Sequence, residues 1–135
     1  MAIPSLVWTY TVVLATVMAI DVSYLYLVAA PLFQDQVLAV QRTSLEVDKA
    51  AALACYLVIA ALVTYLCFLS RIRLPASEQE LFLVGLGIYL VFELTCKAIF
   101  VQWNWTTVIV DSVWGGVLFA LAGWTSKRVL QKTSN

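Results

Sequence analysis

The sequence predicts an all-α, polytopic membrane protein: a four-transmembrane-helix bundle forming one domain over residues 1–135. Three observations carry that expectation. Apolar residues make up 63% of the chain and charged residues only 12%, against roughly 45–50% apolar in a soluble domain. Four apolar stretches, near 6–32, 50–70, 81–102 and 106–126, each reach the about 20 residues that a bilayer core requires. Lipid offers the backbone no hydrogen-bond partner, so spans of this length are expected as helices. Third, the charges fit a bundle and little else. The net charge is zero, there is no histidine, and the eight basic residues are scattered, which argues against a nucleic-acid partner.

The first span lacks a basic leader, is too long for a signal-peptide core and carries Asp21, so it reads as a retained helix. Beyond it, Phe33, Val37 and Val40 recur at helical spacing. They predict either a short interfacial helix or an extension of the span. Ser44 then reads as the cap of a helix start running through Leu45, Glu46, Val47 and Asp48.

The second span is expected to stop before Pro75. Ser77 with Glu80 makes a capping box for the third. The connection around Trp103, Asn104 and Trp105 is so short that spans three and four must be antiparallel neighbours. Trp103 and Trp105 suit the outer water boundary, and Trp8 and Trp124 the inner one. Asn104, Trp105 and Thr106 spell a glycosylation sequon, but one too close to the membrane to be an easy acceptor.

Positive charge orients the bundle. Arg71, Arg73, Lys127, Arg128 and Lys132 fall on the side of the N-terminus, against Arg42 and Lys49 on the other. Both termini are therefore expected in the cytoplasm or its equivalent. The three cysteines, Cys55, Cys67 and Cys96, are an odd number inside helices, which argues against a disulfide framework.

Asp21, Glu93, Lys97 and Asp111 are ionisable residues within spans. At 1.5 Å per residue, Asp111 and Lys97 lie roughly 9 Å below the boundary, and Glu93 and Asp21 roughly 15 Å. All four share one slab in the outer half of the membrane. A central charge costs about 2.5–3.5 kcal/mol, so Glu93 and Lys97 together cost about 5–7. The apolar side chains of span three offset about 4–8 kcal/mol, which leaves that helix near break-even alone. Glu93 and Lys97 lie four apart, on one face, where they can pair directly.

Neighbouring residues fill out the candidate site. Tyr89 and Cys96 flank the Glu93 stripe, Trp114 follows Asp111, Tyr24 follows Asp21, and Tyr56 of span two falls at matching depth. Three acids face one lysine. The excess negative charge calls for protons on the acids or a cation among them. Intramembrane ionisable groups mark ion or substrate paths and proton relays. In this reading Asp21, Glu93 and Asp111 bind or relay. Lys97 is their counter-charge, and Tyr24, Tyr56 and Tyr89 donate hydrogen bonds. A purely structural network that fixes helix register is the alternative. No cofactor or metal site is expected, and no enzyme: Cys96, the one candidate thiol, points about 100° away from Lys97 on the helix. Partners are membrane lipids and either further copies of the chain or a larger membrane complex.

Several of these residues recur in a known pattern. Asp21-Val-Ser-Tyr24-Leu25 in the first span, Tyr89-Leu-Val-Phe92-Glu93-Leu94-Thr95-Cys96 with Ala98 and Trp103 in the third, and Asp111-Ser-Val-Trp114-Gly115 in the fourth stand in order. This resembles the small four-helix membrane proteins of the domain of unknown function 2177 family. The resemblance covers residues 18–128 and implies the same four-span fold, with no established activity. Glu93 stands where the family has Asp, Cys96 where it has Asn, and Lys97 at an uncharged, usually aromatic position, as in a divergent member.

Overall fold

A computed structural model describes residues 5–69 and 75–133. Four helices in it are long and apolar enough to cross a membrane: α1, Leu6–Gln41; α2, Lys49–Leu69; α3, Glu78–Ile99; and α4, Trp105–Thr133. Arg71, Arg73 and the end of span two before Pro75 lie outside the described residues.

The extension alternative holds for span one. Its helix is 36 residues long, about 54 Å at the standard rise, so it outruns a hydrocarbon core of about 30 Å. Pro31 has no N–H to offer the preceding turn. The helix widens there into a π turn over Leu25–Ala29, where the Ala30 N–H bonds the Leu25 carbonyl five residues back. It stops at Arg42, which takes a left-handed φ of 58°.

Ser44 is not a helix cap. Residues 44–48 are non-helical, and Asp48 caps α2 instead, its Oδ1 accepting from the Ala50 and Ala51 N–H groups at 2.9 and 3.1 Å. A carboxylate binding two amides at the positive end of the helix dipole outcompetes a hydroxyl four residues upstream. The Ser77–Glu80 capping box forms as expected: the Ser77 N–H donates to Glu80 at 2.8 Å, and the Glu80 N–H to Ser77 Oγ at 3.2 Å. Asn104 finds its use as a cap as well, its Oδ1 accepting from the Thr107 N–H at 2.8 Å.

α4 is the hub, packed against α1, α2 and α3. Its glycines allow this. A methyl group on Gly85 would collide with the Gly115 carbonyl, and one on Gly115 with the Tyr89 ring. Gly116 lies under Phe82 and Gly123 under Leu81. Small residues let helix backbones approach closely where lipid supplies no hydrophobic drive. The apolar core, including Val13, Val17, Ile59, Ala60, Val63, Leu118 and Phe119, occupies the half of the bundle nearer the termini. The half nearer the 100–104 turn holds the acids.

Candidate functional site

Three helices deliver the acids to one place, and each acid is met differently. Asp21, on α1, is buried with both oxygens occupied. Oδ2 accepts from the Tyr56 hydroxyl of α2 at 2.8 Å, and Oδ1 from the Trp114 indole N–H of α4 at 2.8 Å. Both donors are neutral, so among the described residues the carboxyl is held without a cation.

Asp111 sits one turn nearer the 100–104 turn on α4. Its Oδ1 accepts from the Tyr24 hydroxyl at 3.4 Å. Tyr24 in turn lies flat on Trp114, with ring centroids 4.1 Å apart and planes 8° from parallel. The two Asp-x-x-aromatic stretches thus exchange partners: Asp21 takes the aromatic of α4, and Asp111 the aromatic of α1. Antiparallel helices produce this crossing, because the aromatic follows its aspartate upward on one and downward on the other.

Glu93, on α3, is 0% exposed. Oε2 accepts from the Trp103 indole N–H at 2.7 Å. No N–H or O–H among the described residues reaches Oε1. The Glu93 carboxyl also lies beside that of Asp111. Two acids therefore face each other, with a donor missing between them.

Two expectations are corrected here. Lys97 does not pair with Glu93. Its ammonium lies 5.8 Å from the centre of the exposed Trp105 ring. Lys97 occupies the last turn of α3, where the free carbonyls favour a cation and a four-carbon stem reaches toward water. Turning back to Glu93 would carry the charge into the bundle. Trp103, in turn, is no belt residue. It is buried, edge-on to Phe33 at 6.1 Å and tilted against Phe100 at 6.2 Å. A buried carboxyl needs a donor, and an indole two residues from the water boundary can turn inward to supply one. Trp105, Trp8 and Trp124 stay exposed.

Tyr89 comes to the site but makes no hydrogen bond to the acids. Its ring is pressed on the Gly115 backbone. Cys96 is half-buried and a free thiol. Gln36, which the helical spacing sets on a polar face away from Phe33, Val37 and Val40, is buried and accepts from the Asn104 N–H at 2.7 Å, tying the α1 extension to the turn above Glu93.

A cavity of about 530 Å³ opens beside the acids. Asp21, Asp111, Tyr24 and Tyr89 line it together with the π turn of α1, Phe33, and Leu45 and Val47 of the extended 44–48 stretch. Alternation along an extended chain sends Leu45 and Val47 to one side and Glu46 and Asp48 to the other.

No curated protein and no solved structure matches the chain. The sequence over residues 6–127 does match the family described as "Predicted membrane protein (DUF2177)". That match spans all four helices and every acid of the site, and the chain belongs to this family.

Proposed function

We propose that this integral membrane protein exchanges a proton for a cationic or small polar solute at the Glu93–Asp111 pair, as a minimal transporter or transporter subunit. The observation that carries the reading is the unpartnered Oε1 of a fully buried Glu93 beside a second carboxyl. Two unit charges about 4 Å apart repel by about 4 kcal/mol at an effective dielectric of 20. With Lys97 directed to Trp105, the pair is balanced by a proton at rest or by an incoming cation. Asp21 belongs to the same slab but serves to hold α1, α2 and α4 together. Both termini are assigned to the cytoplasm, on the five-to-two excess of basic residues. The function is non-catalytic, and a bundle of only four helices works as an oligomer or within a larger membrane complex.

Proteoliposomes carrying the purified protein test this. Imposed pH gradients should drive flux in the parent protein, and Glu93→Gln and Asp111→Asn should abolish it while remaining folded. The absence of flux across a panel of ions and solutes would point to a second reading, a scaffold subunit. The crossed Asp21–Trp114 and Tyr24–Asp111 bonds favour that reading, because they tie helices irrespective of any cargo.

A further inference from the structure

The lining of the cavity beside the acids is of two sharply different kinds. Asp21 and Asp111 contribute carboxyls, and Tyr24 and Tyr89 contribute rings. The rest of the lining is mostly carbon: Leu25, Ala29, Ala30, Phe33, Leu45 and Val47, with Tyr26 the one further side chain that carries a hydroxyl. Lys97 is not part of the lining, so among the described residues the cavity holds acids and no base. This composition rejects anions.

It also discriminates among cations. A metal ion exchanges its hydration shell for six or more oxygens. Here both oxygens of Asp21 already accept hydrogen bonds, and the walls offer hydrocarbon. A protonated amine needs only a few acceptors for its N–H groups, and its apolar body gains from leaving water. Aromatic faces beside the charge favour an ammonium further. A volume of about 530 Å³ lies within the range of about 300–1,000 Å³ typical for small organic ligands. Glu93 is outside the lining but lies beside Asp111, and its unpartnered Oε1 is the independent sign that this acid pair awaits a positive group.

We infer that the cavity binds an amphipathic organic ammonium, its charged head at Asp111 and its apolar body along the π turn, Phe33 and the Leu45–Val47 strip. One cation enters and the proton between Glu93 and Asp111 leaves, so the charge of the site is unchanged. This names the cargo class of the exchange proposed above, and rests on it.

The test uses the purified full-length chain in bilayer nanodiscs, with 4-phenylbutylammonium as probe and 4-phenylbutanol and sodium ion as controls. Binding is read by calorimetry and proton release by an indicator in weak buffer. The ammonium should bind at least about tenfold more tightly than the alcohol, a difference of about 1.4 kcal/mol, and release protons. Sodium should do neither. Asp111→Asn should lose both signals. Val47→Trp is the second variant: Val47 is 65% exposed at the cavity rim, so enlargement there is tolerated by the fold. It should weaken ammonium binding several-fold and reduce the amine-evoked proton release in proportion. Equal binding of amine and alcohol, or unchanged binding in Val47→Trp, would overturn the cargo assignment. Proton flux that persists without amine binding sinks this inference alone, whereas loss of flux sinks the exchange reading with it.

Discussion

Two carboxyl sites lie within a few turns of each other, and they are built on opposite terms. Asp21 receives one neutral donor on each oxygen, both at 2.8 Å. Glu93 receives one donor, from Trp103, leaves its other oxygen unmet, and lies beside a second acid. Burial alone does not separate them, since both are nearly or wholly shielded. The count of donors does. A buried acid whose lone pairs are met by fixed donors is a structural joint. One left short of a donor has room for a proton or a cation, and that shortage marks the place where chemistry enters.

The contrast can be broken at several points. Glu93→Gln should have the largest effect: proton-driven flux falls by at least about tenfold, as expected when an intramembrane relay acid is removed. Its thermal stability should hold or rise, because the amide supplies Asp111 with the missing donor. A strongly destabilised Glu93→Gln would mean that the pair is as structural as Asp21. Next, Trp103→Phe strips the indole N–H from a buried acid and should cost about 1–3 kcal/mol in reversible unfolding, with Glu93→Gln cancelling part of the loss in the double variant. Asp21→Asn turns one amide N–H toward a former donor. It should cost about 1 kcal/mol of stability and leave the proton released per turnover unchanged. Lys97→Gln should do least, shifting stability by under about 0.5 kcal/mol and leaving flux unaltered. A large effect on flux would restore Lys97 as the counter-charge of the acids.

The sequence foretold the convergence of the acids because depth along a helix follows from counting residues, and a span cannot hide its register. Asp21, Glu93 and Asp111 fall at the same level for that reason. The Ser77–Glu80 box was equally legible, being a local exchange of two hydrogen bonds. Direction was harder. Glu93 and Lys97 share a face by spacing, but the long lysine stem can climb to the helix end, and its choice depends on Trp105 across the turn. Trp103 and Trp105 look alike in composition, and which one turns inward is decided by the unmet carboxyl ten residues earlier. Tyr89 was expected as a donor from its place in the stripe. Its ring is instead held by the Gly115 backbone, a contact visible only once α3 and α4 are side by side. The cavity was not legible at all. It arises where Pro31 widens α1 and where Asp48, rather than Ser44, begins α2, and both depend on how the intervening chain folds back.

Infrared spectroscopy of the protein in bilayers at neutral pH tests the central claim most directly, by the carbonyl stretch of an un-ionised carboxylic acid. A proton held between Glu93 and Asp111 predicts such a band in the parent protein. It should remain in Asp21→Asn and disappear in both Glu93→Gln and Asp111→Asn. A band that vanishes only with Asp21→Asn, or a spectrum with no acid band in the parent, would contradict the account.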